Sequence, residues 1–135
     1  MEILEATESL RLLGRCGIGR VGLSVGALPA IFPVNYAVHE GAIYFLASDG
    51  AKLSAASQNA VIAFEVDQAD AMSHTGWSVL VVGRASAVDR AKHPELDRIR
   101  LVRWAGKGEA DLIRIDPAIV TGRRITQVAQ ALHSS

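Results

Sequence analysis

The stretch Ala30-Ile31-Phe32-Pro33-Val34-Asn35-Tyr36-Ala37-Val38-His39-Glu40-Gly41-Ala42-Ile43-Tyr44-Phe45-Leu46-Ala47 decides the fold. Two runs rich in β-branched and aromatic residues flank Glu40-Gly41, so the segment reads as two antiparallel strands joined at a tight turn. Working backwards, Gly26-Ala27-Leu28-Pro29 is a second turn signal and Ile18–Val25 a further strand, which makes this part of the chain a meander. Before it, Glu5 to Arg15 carries Leu10 and Leu13 with early acids and late arginines, the pattern of a short amphipathic helix. Working forwards, Ser48-Asp49-Gly50 leads into Ala51-Lys52-Leu53-Ser54-Ala55-Ala56-Ser57, whose alanines and capping residues predict a short helix ended by Asn59. Val61 to Val66 and Trp77 to Val88 predict two more strands. Pro94 to Trp104 predicts a helix from the spacing of Leu96, Ile99 and Val102, stopped by Gly106-Lys107-Gly108. Asp111 to Asp116 predicts a last strand broken by Pro117, and Ile125 to Leu132 a closing helix. About six strands joined mostly by short turns point to an antiparallel barrel or sandwich and not to βαβ units. The class is β-dominated α+β.

Composition narrows the function classes. At 135 residues, 50% hydrophobic and 21% charged, the chain is one domain over 1–135 with a real core, too apolar for disorder. Fourteen Lys+Arg balance fourteen Asp+Glu, which gives no basic footprint for nucleic acid. The single cysteine, Cys16, makes neither an intrachain disulfide nor a Cys-based zinc cage, and the expected compartment is the cytoplasm. Met1-Glu2-Ile3-Leu4-Glu5-Ala6 puts acids where a secretory signal needs a basic head, and Val79-Leu80-Val81-Val82 falls far short of the ~20 apolar residues of a membrane span. His39, His74, His93 and His133 show no paired spacing, so no metal site is expected.

The motifs are ambiguous singly. Gly17-Ile18-Gly19-Arg20-Val21-Gly22 spells a dinucleotide fingerprint, but a helix precedes it and a strand follows, the reverse of the context that places a pyrophosphate on a helix start. Ser48-Asp49-Gly50-Ala51-Lys52 reads either as a phosphate seat or as a capped helix with a solvated lysine. In Phe32-Pro33-Val34-Asn35-Tyr36, Asn35 and Tyr36 face opposite sides of a strand, where Asn35 either meets a flat heteroaromatic ligand or satisfies the barrel core. Trp77 and Ser78 open a long strand, and Asp67, Asp70 and Asp89 read as turn acids. No acid–base dyad or Ser-His-Asp order can be argued from spacing, so any chemistry falls to a cofactor.

Four segments in order carry a resemblance that runs from about Leu10 to Ile125: Leu28 to Tyr36, Ile43 to Lys52, Gly76-Trp77-Ser78-Val79-Leu80-Val81-Val82-Gly83-Arg84-Ala85, and Thr121-Gly122-Arg123-Arg124-Ile125. The chain resembles the FMN-binding split-barrel superfamily, the pyridoxamine 5′-phosphate oxidase-like proteins, and within it the short branch of nitroimidazole-reductase-like and deazaflavin-dependent relatives. The resemblance implies a six-stranded antiparallel split β-barrel with short helices, and a homodimer with the flavin between its subunits. It implies that Pro33, Val34, Asn35 and Tyr36 line the isoalloxazine, that Ala47, Ser48, Gly50 and Lys52 hold the phosphate, and that Trp77 and Ser78 approach from the second subunit. The implied cofactor is FMN, with the deazaflavin F420 as the alternative and haem, on His39 or His74, as a third. The implied activity is hydride transfer to or from a small organic substrate, with non-catalytic flavin or haem binding as the other reading. The chain is shorter than pyridoxamine phosphate oxidases proper and lacks their C-terminal Arg-x-His motif, which sets vitamin B6 oxidation aside.

Overall fold

A computed structural model describes residues 2–14, 17–47, 51–98 and 111–125, the side chains of 51, 52, 97 and 98 excepted. The elements are β1 (Glu2–Leu4), α1 (Ala6–Leu13), β2 (Ile18–Val25), β3 (Leu28–His39), β4 (Ala42–Ala47), α2 (Ala51–Ser57), β5 (Val61–Asp70), β6 (Thr75–Ala87), two short 3-10 turns (Arg90–Lys92 and Pro94–Arg98) and β7 (Asp111–Ile125). The strands run in the order β1-β7-β4-β3-β2-β5-β6, and β6 pairs back onto β7. Strands β2 to β7 thus close into the expected six-stranded antiparallel barrel, with β1 added on β7 beyond β4.

Local chemistry explains the two tight hairpins. Gly26 and Ala27 (φ 55° and 68°) join β2 to β3, and Glu40 and Gly41 (φ 50° and 79°) join β3 to β4. Two successive positive φ values define the turn whose twist matches that of the flanking strands.

Three expectations are corrected. Strand β7 does not stop at Pro117 but runs to Ile125, because the register shifts between Val82 and Gly83 and sets Gly83 opposite Pro117. A Cβ on Gly83 would stand 2.0 Å from the Asp116 carbonyl oxygen, so glycine lets the backbones close on a bulge where proline is tolerated. Strand β5 continues past Val66 to Asp70, and Asp67 is therefore a mid-strand residue paired with Ser78. The chain turns only after Asp70, whose Oδ1 accepts the Met72 and Ser73 N–H groups at 2.9 and 3.4 Å. Pro94 opens a 3-10 turn and not a full helix over its described part. The remainder of that helix, the helix expected up to Leu132, and Cys16 lie outside the described residues.

The core lies inside the barrel. Val21, Val34, Tyr36, Ile43, Phe45, Ile62, Phe64, Val79, Val81, Ile113 and Ile115 alternate inwards from the six strands. Helix α1 adds buried Leu12 and Leu13, and the Tyr36 hydroxyl donates to the Leu13 carbonyl, tying the helix end to β3. Buried Ser9 donates to the Glu5 carbonyl at 2.9 Å and rests against Gly122, where a Cβ would stand 2.0 Å from its Oγ. A smaller cluster of Ala42, Tyr44, Leu96 and Leu112 sits outside β4, where the Pro94–Arg98 turn packs.

Candidate functional site

An outer face of the barrel over β2 and β5 carries a groove. Register sets Ile31 beside Gly22, Gly22 beside Ala63, Ala63 beside Val82 and Val82 beside Ile119, an apolar row across five strands. The next outward row is Pro33, Arg20, Glu65, Leu80 and Thr121. Where the rows meet, Arg20, Gly22, Ile31, Ala63, Glu65 and Asp67 line a groove of about 420 Å3.

Gly22 makes the groove possible. A Cβ there would meet nothing nearer than the Ala63 methyl at 3.7 Å, an ordinary contact, whereas a Cβ on Gly19 would stand 2.6 Å from the Phe64 ring. The barrel's own packing requires Gly19 and not Gly22. A strand glycine without an internal reason marks a place where another backbone or a ligand comes close. Here it leaves a flat floor that a side chain would fill.

One end of the floor is charged. The Arg20 Nη1 donates to Glu65 Oε1 at 2.8 Å and to Asp67 Oδ2 at 3.5 Å. Partial burial, then the neighbouring Asp67 carboxyl, pushes the Glu65 carboxyl above its ordinary value, against the pull of Arg20. Glu65 therefore holds a proton more tightly than a free carboxylate does.

The structure separates the residues expected to form the site. Pro33 and Asn35 sit on the outer face, beside Arg20 and Ile18. The side chains of Val34 and Tyr36 are 2% and 4% exposed in the core, with Tyr36 edge-on to Phe64 at 4.9 Å, so the four do not present their side chains to one face. Strand alternation is the reason. Ala47 is also a core residue, at the end of β4. Ser48 and Gly50 lie outside the described residues, as does the side chain of Lys52, whose backbone belongs to α2. Trp77 and Ser78 part in the same way: Trp77 packs half-buried against its own core, and Ser78 stands opposite Asp67 on β5. Trp77 also edges a recess of about 340 Å3 with Gln68, Asp70, Thr75 and Gly76. Sequence reasoning did not place Arg20, Gly22, Glu65 and Asp67 in a site: Arg20 and Gly22 stood only in a glycine motif that was set aside, Asp67 was read as a turn acid, and the one available signal was a glycine within the alternation of Ile18–Val25. Among the described residues, no group of three or more His, Cys, Asp or Glu is placed to hold a metal ion, and no helix is long and apolar enough to cross a membrane.

A closed six-stranded antiparallel barrel whose long last strand serves both edges, with a ligand-sized groove on its outer wall, is a split-barrel protein. Residues 5–124 match the family model described as pyridoxamine 5′-phosphate oxidase, and the chain belongs to that family. An uncharacterized protein of Mycobacterium tuberculosis, Rv0080, is 36% identical over 127 residues, which cover 90% of this chain and 84% of that protein. The FAD binding protein from Mycobacterium smegmatis is 34% identical and superposes with a TM-score of 0.80, over 94% of this chain and 100% of that one. A FAD-binding protein from Mesorhizobium loti shares the fold at 21% identity, with a TM-score of 0.72 over 93% of this chain and 98% of that one.

Proposed function

We propose that this protein is a flavin-dependent oxidoreductase that acts as a homodimer, with the flavin held between subunits. The observation that carries the reading is the likeness to the Mycobacterium smegmatis FAD binding protein, in sequence and over nearly the whole fold. Two features of the chain support it. The groove floor at Gly22 and Ala63 suits a planar ring, and the outward Pro33, Asn35 and Ser78 offer an apolar surface, an amide and a hydroxyl to one. The apolar row leaves Ile31 72% and Ile119 58% exposed, with Leu80 41% exposed beside it, a surface a second copy would bury.

The flavin, when bound, supplies hydride transfer to or from a small organic substrate. The chain binds it, orients it and shuts out water. On the family resemblance, Ala47, Ser48, Gly50 and Lys52 take the phosphate. Glu65, paired with Arg20 and next to Asp67, brings a carboxyl whose proton affinity is raised to the edge of the groove. FMN, the cofactor expected from the sequence, shares its ring and first phosphate with FAD, and the relative's cofactor places FAD first among the ligands to test, with F420 third. The lone cysteine favours a reducing compartment such as the cytoplasm.

The test is an absorption spectrum of the purified protein before and after incubation with FAD, FMN or F420 and removal of free ligand, followed by turnover with a nicotinamide reductant and an electron acceptor. Retention of one of these cofactors with turnover is the expected result. Failure to retain any overturns the reading, and retention without turnover reduces the protein to a flavin carrier.

A further inference from the structure

The charged end of the groove is gathered on one guanidinium nitrogen. Register sets Arg20 of β2 beside Glu65 of β5, and Asp67 follows two positions along β5 on the same outer face. Arg20 Nη1 donates to both Glu65 Oε1 and Asp67 Oδ2, at 2.8 and 3.5 Å, so the two carboxyls converge on a single donor and on each other. Strand β5 lies between β2 and β6. From β6 the pair is faced by Leu80, beside Glu65, and by Ser78, beside Asp67, and neither is charged. Arg123 of β7 stands beyond Ser78, and β3 brings Pro33 to the far side of Arg20. Among the described residues, Arg20 is the one cation lining the groove, against two carboxyls.

Whether that surplus of negative charge is tolerated depends on water. In the single chain the Glu65 and Asp67 side chains are 35% and 44% exposed, and solvent screens the second carboxylate. Even so, partial burial and then Asp67 raise the Glu65 carboxyl against the pull of Arg20. A flat ligand on the Gly22–Ala63 floor, with a second subunit over Ile31 and Ile119, would take the water away. Burial of an unbalanced charge is strongly unfavourable, and a group so placed changes its protonation instead. One proton shared between the two carboxyls leaves a neutral cluster of a carboxylate, a carboxylic acid and a guanidinium.

We propose that filling the groove takes up a proton at the Glu65–Asp67 pair, so that flavin binding tightens in acid and weakens as pH rises. The proposal rests on the flavin reading above and adds its regulation. Its sign follows from linkage, because the filled groove favours the protonated pair more than the empty groove does. Affinity is therefore highest where the empty groove already holds the proton, falls by up to about tenfold per pH unit above that point, and levels off where the filled groove loses the proton too.

The experiment is isothermal titration calorimetry of FAD into the ligand-free full chain, from about pH 5.5 to about pH 9, in pairs of buffers that differ in ionisation enthalpy and so count the protons exchanged on binding. FAD is the probe because its pyrophosphate lacks the second ionisation, at about pH 6, of a terminal phosphate such as that of FMN. Uptake of up to about one proton per chain is expected, with Kd rising as pH rises. Glu65→Gln fixes a neutral side chain, and Asp67→Asn leaves a balanced Glu65–Arg20 pair. Each should bind FAD with little proton uptake and a nearly constant Kd, and the second variant serves should the first disturb the fold. FAD binding by the wild type without proton uptake, or uptake undiminished in a folded variant, would overturn the proposal and leave the flavin reading standing. FAD bound at no pH would overturn the proposal as well, and if FMN and F420 also fail to bind, the flavin reading falls with it.

Discussion

Gly19 lies directly under Phe64, so that a methyl on Gly19 would stand 2.6 Å from two carbons of the ring. Phe64 is fully buried, and its other side is engaged by Tyr36, so it has little room to move. Gly19→Ala should destabilise the barrel by about 1–3 kcal/mol, the usual cost of overpacking a core, as read by denaturant unfolding. Gly22, three positions along the same strand, is the contrast: Gly22→Ala should leave stability unchanged or slightly improved while weakening flavin binding. Unimpaired binding by Gly22→Val would remove the groove floor from the site.

Glu65 makes the stability of the fold depend on pH in an unusual direction. Its carboxyl is raised, by burial first and Asp67 second, so the folded chain holds this proton better than the unfolded chain. Its contribution is therefore complete below the unfolded carboxyl's pKa and is lost as pH rises through the raised folded value. Glu65→Gln, which fixes the neutral form, should melt above the wild type near neutral pH, with the gap closing in acid. A lower melting temperature at neutral pH would show that the ion pair with Arg20 outweighs the burial of the charge.

The hairpins were legible because their turns need glycine or a left-handed residue, and Gly26 and Gly41 announce them. Long-range pairing was not. Nothing local in Glu2–Leu4 marks a strand, which forms only because β7 offers it an edge at Gly122–Arg124. The run of β7 past Pro117 depends on a bulge supplied by Gly83, far away in sequence. The site suffered from the same blindness: alternation says that Asn35 and Tyr36 part, but the choice of inward face is made by Leu13 and Phe64. Arg20 and Glu65 are 45 residues apart, and only the β2–β5 register joins them.

Trp77 faces its own core, so its substitution should register first in stability. Trp77→Phe should lower the melting temperature by a few degrees, corresponding to about 1 kcal/mol, with flavin affinity nearly unchanged. Lost affinity at unchanged stability would return Trp77 to the site.

Lys52, placed in α2, is tested by comparing ligands with and without a phosphate. Lys52→Ala should weaken FMN or FAD binding about tenfold to a hundredfold and leave riboflavin binding alone. An equal loss for riboflavin would mean that the substitution acts on the fold.

Sedimentation velocity of the flavin-loaded protein, followed at once in the protein band and in the visible flavin band, tests the shared-site homodimer most directly. A single boundary at twice the chain's 14.4 kDa, carrying both absorbances, is expected. Flavin absorbance travelling with a 14.4 kDa species, or a dimer boundary that carries none, would contradict it.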